Sequence, residues 1–213
     1  MKRLRYIATM IFFLILNLTF NGFINYNTTA YPFQYKEYIL GPKSTLELNG
    51  KTNVNAFCCS SQEQFPKGEI TYHLDDGAAT FYFKNTNLKI NIEQLDCGAK
   101  AINKDLQKTL QSDEYPTIII ALTQASNLEC SSSIDCDRWV EFEAIADISL
   151  ACVAKTVSIP IHIKKIEDNQ FRVAGSTTLY FKDFELEPPT ALMGLIKVKE
   201  SIDIRFDLDV ILL

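Results

Sequence analysis

Histidine and basic residues are scarce in this sequence, and their scarcity argues against several classes of protein. There are only two histidines in 213 residues, which leaves little room for histidine-based catalysis or a histidine-rich metal site. The 21 basic residues are outnumbered by 26 acidic ones, for a formal charge of −5, whereas binding nucleic-acid phosphates requires a basic face. With 47% hydrophobic and 22% charged residues, the chain is too apolar for intrinsic disorder. We therefore expect a buried core and no nucleic-acid partner.

A long apolar run occurs near the N-terminus. Residues 6–20 are almost entirely apolar and follow three basic residues, which is the pattern of a secretory signal peptide. The run is shorter than the ~18 residues that span a bilayer, and residues 28–30 offer a small-residue cleavage site. We predict a signal peptide at 1–30 and one mature domain at 31–213, exported to the periplasm or secreted, with no stable membrane span after cleavage. An uncleaved membrane anchor is the alternative.

The six cysteines become informative once export is assumed. In an oxidising compartment they are more typical of disulfides than of metal ligands, and no C-x-x-C motif is paired with a second one, so we predict no metal site. Six cysteines allow 15 pairings, which the spacing alone does not resolve. Adjacent Cys58 and Cys59 point to opposite faces of a strand. The disulfide candidates are Cys58, Cys59, Cys97, Cys130, Cys136 and Cys152.

Apolar and polar residues alternate with period two over most of the chain, which predicts half-buried β-strands. From Val140 to Leu150 every even position is apolar, and similar patterns recur at 157–163, 171–181 and 202–212. Shorter alternating segments fill the first half, where Asp75-Asp76-Gly77 is a hairpin signal. We count about eight or nine antiparallel strands, which suit a closed up-and-down barrel; a two-sheet sandwich is the alternative.

One segment follows a helical period instead. Ile102, Leu106 and Leu110 lie four residues apart within Ala101–Ser112, which predicts one short amphipathic helix inserted between strands. A second, shorter helical turn is predicted at Pro189–Met193. The predicted fold class is therefore an all-β antiparallel barrel of about eight strands with one short inserted helix.

The strand positions that are predicted to face inward hold both aromatic and small side chains. Their close packing would give a solid barrel, whereas gaps between them would give an elongated apolar lumen, and the alternation alone leaves both possibilities open. Both histidines, His73 and His162, fall on the outward parity, so we expect no catalytic residues and no enzyme. The candidate lumen residues are Tyr72, Phe81, Phe83, Phe142, Ala144, Ala146, Phe171, Val173, Gly175, Leu179, Phe181 and Phe206.

Several segments, taken together and in order, resemble the YceI-like family of exported polyisoprenoid-binding proteins. Ser44–Cys58 resembles the family's opening strand pair. Leu95-Asp96-Cys97-Gly98, followed by Lys104-Asp105-Leu106 and Tyr115-Pro116-Thr117-Ile118, is similar to its helix and the strand after it. Gly194-Leu195-Ile196-Lys197-Val198 and the alternation that follows resemble its end. The resemblance covers essentially the whole mature chain.

The resemblance implies a lipocalin-like antiparallel barrel whose lumen holds a long isoprenoid chain, such as a quinone tail or a polyprenyl lipid, without catalysing a reaction. Apart from such a bound lipid, no cofactor is expected. The resemblance also implies a disulfide between Cys97 and either Cys58 or Cys59. Under this interpretation the chain is a lipid carrier or store in the cell envelope.

We expect the lumen to open at a mouth where the predicted helix and Pro188-Pro189 form a lid over the polar head group. Replacing Ala146 or Gly175 with phenylalanine is expected to block the lumen while the fold persists. The alternative is a solid barrel without a lipid ligand, which serves as a structural or interaction protein of the envelope. Trp139 would then lie on its outer face and dock a partner.

Overall fold

The computed structural model describes residues 32–61, 65–129, 138–191 and 195–213. The predicted signal peptide at 1–30 lies outside the described residues, as does residue 31, where the mature domain is predicted to begin. Cys130 and Cys136 also lie outside them. The predictions made for these residues therefore stay predictions.

The described residues form twelve strands, one α-helix and two 3₁₀ turns. In chain order they are β1 (Gln34–Leu40), β2 (Thr45–Thr52), β3 (Ala56–Ser61), β4 (Gly68–Asp75), β5 (Thr80–Asn91), a 3₁₀ turn (Ile92–Gln94), β6 (Leu95–Asp96), α1 (Lys100–Thr109), β7 (Thr117–Asn127), β8 (Val140–Leu150), β9 (Val153–Glu167), β10 (Gln170–Tyr180), a second 3₁₀ turn (Phe181–Phe184), β11 (Thr190–Ala191) and β12 (Ile196–Leu212).

Eight of these strands close into an antiparallel ring. The order around the ring is β1, β4, β5, β7, β8, β9, β10 and β12. The ring closes where β12 pairs back onto β1, with Tyr38 opposite Leu212 and Leu40 opposite Val210. This closed ring is the predicted barrel and not the two-sheet alternative.

β1 and β2 run along the same edge of β12 and are separated by a kink at residues 41–44. β1 pairs with the last residues of β12, and β2 continues from Thr45, which lies opposite Asp207. The kink is fixed by two hydrogen bonds: the Gly41 amide donates to the Asp209 carbonyl at 2.7 Å, and the Asp209 amide donates to Ser44 Oγ at 3.0 Å. β2 then pairs with β3, and β3 with β6, which extends the sheet at one end of the barrel.

β8 shows the predicted alternation most clearly. All six even positions of the strand are buried, and its odd positions are exposed or half-buried. Because successive residues of a strand point to opposite faces, this pattern places one whole face of β8 inside the ring. The buried residues are Val140, Phe142, Ala144, Ala146, Ile148 and Leu150.

Helix α1 begins one residue before the predicted helical segment Ala101–Ser112, ends three residues before its end, and buries the expected face. Leu106 and the following Leu110 are buried, and Ile102 packs against the same cluster. The second 3₁₀ turn buries Phe181 and Phe184 in that cluster. Among the described residues, no helix has the length and apolarity needed to cross a membrane.

The second helical turn, predicted at Pro189–Met193, is wrong for Thr190 and Ala191. These residues form strand β11, with Thr190 opposite Lys197 on β12, and the Val198 amide donates to the Pro189 carbonyl at 3.1 Å. Proline fixes its own φ and favours an extended residue before it. The Pro188-Pro189 pair therefore delivers an extended chain to the edge of β12, where its backbone finds partners. Residues 192–194 lie outside the described residues.

A disulfide joins Cys59 on β3 to Cys97, which follows β6. This confirms the pairing of Cys97 with one member of the Cys58-Cys59 doublet. Cys59 is completely buried, whereas Cys58 is an exposed thiol on the opposite face of the strand, as the strand parity requires. Cys152 is also an exposed thiol outside this bond.

Candidate functional site

The ring encloses a cavity of about 270 Å³, which we call the lumen. Every strand of the ring contributes to its wall, and β2 adds Leu46. Among the described residues, those that line the lumen include no charged side chain, and only Tyr38, Thr86 and Thr177 bring polar groups to it. The lumen is therefore an apolar site without a fixed charge.

The exposure of the β12 side chains shows that the lumen is not filled by the barrel itself. Inward-facing Ile204, Phe206, Leu208 and Val210 line the cavity and are only half-buried, although their strand lies within the ring. The same cavity is lined by the small side chains of Ala144 and Ala146 on β8. Unlike a close-packed interior, whose side chains interdigitate, this part of the barrel leaves side-chain surface uncovered.

The end of the barrel that carries α1 is closed by packed side chains, which we call the floor. It is built from the two 3₁₀ turns, β6, α1 and the segment after the second turn. The floor residues are Ile92, Leu95, Leu106, Leu110, Phe181, Phe184 and Leu186. Leu46 and Ile148 belong to the same packed cluster and also line the lumen, so the floor adjoins the cavity directly.

A cluster of aromatic rings forms near the opposite end of the barrel. The Phe81 ring stacks on Phe83 with centroids 6.4 Å apart and lies 6.3 Å from Phe142 and 6.1 Å from Tyr72. The Tyr72 hydroxyl donates to Gln34 Oε1 at 2.9 Å. The cluster arises because β4, β5 and β8 carry these residues at a similar height in the barrel, with Tyr72 directly opposite Phe83. Of the four rings, only Phe83 faces the lumen.

Five of the twelve candidate lumen residues line the cavity, and seven do not. Those in the wall are Phe83, Ala144, Ala146, Val173 and Phe206. Tyr72, Phe81 and Phe142 pack on other aromatic rings instead. Phe181 belongs to the floor, with Leu179 packed against it, because the chain leaves β10 for a 3₁₀ turn at Phe181. Phe171 is half-buried near the start of β10, outside the cavity wall.

Gly175 faces inward but is covered by its neighbours. A Cβ atom built on Gly175 would lie 2.7 Å from Cζ of Phe206 and 2.9 Å from the Pro160 carbonyl oxygen. A phenylalanine side chain at position 175 would therefore first collide with the wall, and the expectation that it blocks the lumen stays a prediction. Ala146 keeps its place in the wall, and a lipid-binding role for any of these residues stays a prediction.

Sequence reasoning missed part of the wall, above all on β1. Tyr38 and Leu40 line the lumen, as do Ile70, Ile163 and Leu208. The signal that could have found Tyr38 and Leu40 is the alternation that leads to Leu46 and Leu48. Tyr38 and Leu40 share the even parity of Leu46 and Leu48, but residues 41–44, which form the kink, interrupt the alternation and hide the continuity. Ile163 and Leu208 lie on the inward parity of their strands.

The polar groups of the lumen are few and offer no pair for acid–base chemistry. Burial raises the pKa of the Tyr38 hydroxyl, the ionisable group in the wall. Thr86 Oγ1 accepts a hydrogen bond from the Thr71 amide and donates one to the Lys84 carbonyl, both at 3.2 Å. His162 lies on the outer face, with Nε2 3.6 Å from Glu141 Oε1. Among the described residues, no group of three or more His, Cys, Asp or Glu side chains could hold a metal ion.

Both parts of the predicted lid lie at the floor end of the barrel. Helix α1 and Pro188-Pro189 do meet, around an open cleft of about 490 Å³ that is rich in polar side chains. However, Leu106, Leu110 and Leu186 on these same segments pack into the floor. The helix thus helps to close the packed end of the barrel and does not cover an opening.

The fold and the lumen define the class of protein: an antiparallel eight-stranded barrel with one inserted helix around an apolar cavity. Its particular fold is that of YceI-like barrels, as the sequence resemblance predicted. A polyisoprenoid-binding domain from Saccharophagus degradans superposes with a TM-score of 0.59 at 12% identity, over 82% of this chain and 97% of that one. BcnA of Burkholderia cenocepacia gives 0.52 at 14% identity, over 79% and 96%.

The YceI protein of Campylobacter jejuni has the same fold, with a TM-score of 0.50 at 13% identity, over 75% of this chain and 82% of that one. At these identities the likeness shows a shared fold. No family model matches the sequence, and neither does any curated protein.

Proposed function

We propose that this chain binds an isoprenoid lipid, the tail of a quinone or a polyprenyl chain, inside the lumen and carries or stores it in the cell envelope. The observation that carries the proposal is the lumen itself, an unfilled cavity whose described wall holds no charge. The barrel from Saccharophagus degradans that shares this fold is a polyisoprenoid-binding domain, which supports the same class of ligand.

Burial of hydrocarbon supplies the affinity in this proposal. Each buried CH₂ group contributes about 0.8 kcal/mol, from which the cost of immobilising the ligand must be subtracted. Because Ile, Leu, Val and Phe side chains make up most of the wall, the lumen recognises the shape of a ligand more than its polar groups. Methyl-branched isoprenoid chains fit such a wall, and no hydrogen-bond readout is required of it.

The chemistry of the wall supports binding without catalysis. A hydrolytic or transfer reaction needs a nucleophile with a base in hydrogen-bond reach, or a group that moves a proton. Tyr38, Thr86 and Thr177 are the polar residues of the described wall, and the Thr86 hydroxyl is engaged by the backbone. A ligand in the lumen would therefore contact mainly apolar side chains, and the described wall offers it no nucleophile paired with a base.

An exported location is part of the proposal. Disulfides persist in oxidising compartments, and the Cys59–Cys97 bond lies in a buried position beside the floor. Together with the leader predicted at 1–30, this bond supports a periplasmic or secreted protein.

A structural or interaction role is the alternative, and one observation favours it. Trp139, which precedes β8, is 41% exposed, as its outward parity predicted. Large exposed aromatic side chains are enriched in surfaces that dock partners. Docking through Trp139 would shift its fluorescence on addition of envelope proteins, with no change when lipids are added.

Native mass spectrometry of the exported protein tests the proposed function. The protein is purified without detergent, its mass is recorded, and its organic extract is analysed for isoprenoids. We expect a mass excess of one ligand per chain that matches an extracted isoprenoid. A bare polypeptide mass that persists after quinones and prenols are offered would contradict the proposal.

A further inference from the structure

Tyr38 contributes a phenol hydroxyl to the described wall of the lumen, and a glycine makes room for its ring. Tyr38 lies on β1 directly opposite Gly68 of β4. A Cβ atom built on Gly68 would lie 2.3 Å from Cζ of the Tyr38 ring and 2.6 Å from its hydroxyl oxygen. Any side chain at position 68 would therefore displace the ring, whereas the bare backbone of Gly68 lets it lie against the wall.

The Tyr38 hydroxyl is available to a ligand. The side chain is half-buried and lines the cavity, and its hydroxyl has no hydrogen-bond partner among the described residues. Burial raises the pKa of Tyr38, so the hydroxyl stays protonated at neutral pH and can donate a hydrogen bond. A polar group that enters the lumen would find a ready donor at this point.

The other two hydroxyls of the described wall differ from Tyr38 in partner or in position. The Thr86 hydroxyl is already engaged by the backbone of Thr71 and Lys84. The Thr177 hydroxyl has no partner among the described residues, but Thr177 lies opposite Ile204, which packs against the floor. Thr177 is therefore a polar point at the floor end of the lumen.

Tyr38 lies at the end of the lumen away from the floor. It pairs with Leu212, which is eight residues beyond Ile204 on β12. At about 3.3 Å per residue, this separation is roughly 26 Å along the strand. The inward residues of β12 between these two points are apolar. A ligand whose polar end contacts Tyr38 can therefore lay its hydrocarbon tail along this wall toward the floor.

A charged head group would need a different residue. An ion moved into an apolar cavity without a counter-charge loses its hydration at a large cost, and the described wall holds no charged side chain. Lys36 lies two residues before Tyr38 on the same face of β1, but it is exposed and outside the wall. The wall itself thus favours an uncharged head group.

We infer that Tyr38 recognises the head group of the bound isoprenoid by donating a hydrogen bond to an uncharged oxygen, a quinone carbonyl or a prenol hydroxyl, while the tail extends toward the floor. This inference rests on the proposed function and specifies which end of the ligand the protein recognises. The apolar wall supplies affinity for the tail, and Tyr38 distinguishes an oxygenated isoprenoid from a plain hydrocarbon.

Paired competition measures the contribution of this hydroxyl. Delipidated protein without detergent is mixed with equal amounts of two ligands that share one tetraprenyl tail: menaquinone-4 or geranylgeraniol, against the tetraprenyl hydrocarbon that lacks oxygen. Native mass spectrometry gives the ratio of the two complexes. We expect Tyr38→Phe, which removes only the hydroxyl, to lower this ratio about three- to tenfold. Because the same ligands are compared in each protein, their unequal solubilities cancel, and an unchanged ratio would overturn the inference.

Thr177→Val is the matched control, because it removes the other unpartnered hydroxyl of the described wall with little change in side-chain shape. We expect it to leave the ratio unchanged. A ratio that falls in Thr177→Val and not in Tyr38→Phe would place the head group at the floor end and contradict the inference. Gly68→Ala, which must displace the Tyr38 ring, is expected to lower the ratio as well. Circular dichroism verifies that each variant folds.

Infrared spectroscopy reports the contact directly. A hydrogen bond to a quinone carbonyl lowers the stretching frequency of that C=O group. We expect bound menaquinone-4 to show one lowered carbonyl band, which returns to the frequency of an unbonded carbonyl in Tyr38→Phe. A purely structural role for Tyr38 would not move this band, so equal frequencies in the two proteins would count against the assignment.

The possible failures are distinguishable. If none of the ligands, including the hydrocarbon, binds one per chain, the proposed function is wrong and the inference is wrong with it. If all bind and Ala146→Phe weakens them all while Tyr38→Phe changes no ratio, the lumen is a lipid site and only the head-group contact is wrong. Geranylgeranyl phosphate that outcompetes both uncharged ligands, with an advantage lost in Lys36→Ala, would assign the head group to Lys36 and overturn the inference.

Discussion

The floor and the lumen are made of the same kinds of side chain but differ in how completely those side chains are covered. In the floor, Leu95 belongs to a packed cluster with side chains from the strands, the helix and the 3₁₀ turns, and it is 1% exposed. In the lumen, Leu208 is also an inward leucine, yet part of its surface faces the cavity. The difference lies in the neighbours and not in the residue. The floor supplies stability, and the lumen leaves apolar surface available to a ligand.

The largest expected effect is a difference between two leucine truncations. Leu95→Ala should lower the free energy of unfolding by about 2–5 kcal/mol, because it empties a close-packed site. Leu208→Ala should cost about 1 kcal/mol or less, because its side chain already faces a cavity and loses fewer contacts. Urea unfolding of the ligand-free proteins measures both. Equal costs would show that the lumen is as closely packed as the floor.

Removing the disulfide is expected to have the next largest effect on stability, and this change affects only the floor end of the barrel. Replacing Cys59 and Cys97 together with alanine should lower the free energy of unfolding by about 2–4 kcal/mol. A reducing agent should destabilise the original chain by a similar amount and leave the double variant unchanged. Cys58→Ala is the control, because Cys58 is exposed and outside the bond. Loss of stability in this control equal to that of the double variant would argue against the Cys59–Cys97 pairing.

Two phenylalanine substitutions compare a position of the barrel that its neighbours cover with a position that borders the cavity. Gly175→Phe should cost about 1–3 kcal/mol, because its side chain meets the Phe206 ring and the Pro160 carbonyl. Ala146→Phe should cost less, because its side chain can extend into the cavity. The midpoints of thermal unfolding compare the two. A larger loss for Ala146→Phe would mean that the cavity has no room beside Ala146.

The smallest expected effect is on the stability of the protein in acid, and it arises from Asp96, which precedes Cys97. Asn103 Nδ2 and the Gly98 amide each donate to Asp96 Oδ1 at 3.0 Å, and these hydrogen bonds lower the pKa of Asp96. Because the pKa in the folded state lies below that of the unfolded chain, the stabilisation is present above the unfolded value of about 3.9 and is lost as the pH falls through the folded one.

Asp96→Asn should therefore reduce stability slightly near neutral pH and flatten its decline in acid. Unfolding measured from neutral pH to about pH 3 gives both quantities. Asp113→Asn, a change at an exposed residue that takes no part in these hydrogen bonds, is the control. An acid limb of unchanged slope in Asp96→Asn would contradict the assigned role.

The alternation predicted the ring but not what fills it. In β8 and in β12, the inward positions could be read from the sequence because a strand repeats every two residues. Whether an inward residue is covered depends on side chains contributed by distant strands. Thus Ala144 and Phe142, two residues apart on one face, differ in role: Ala144 borders the lumen, and Phe142 packs against Phe81.

The two ends of the barrel were harder to predict because they depend on irregular segments. Phe181 continues the parity of β10, yet the chain turns into a 3₁₀ helix there and sends Phe181 into the floor. The helix was correctly located from the spacing of its apolar residues. Its position at the closed end follows from tertiary packing of Leu106 and Leu110, which the helical period does not encode.

The bond between Cys59 and Cys97 has a further consequence for how the barrel assembles. It makes a covalent loop of the 38-residue separation between the two cysteines, and β4 and β5 lie wholly within that loop. Folding rates fall as contacts join residues that are more distant along the chain, and bringing such residues together costs loop-closure entropy. In the oxidised chain, β3 and β6 are tethered before any sheet exists, so their pairing becomes a local event. Oxidation thus lowers the effective contact order of a barrel whose strands otherwise meet only after long excursions of the backbone.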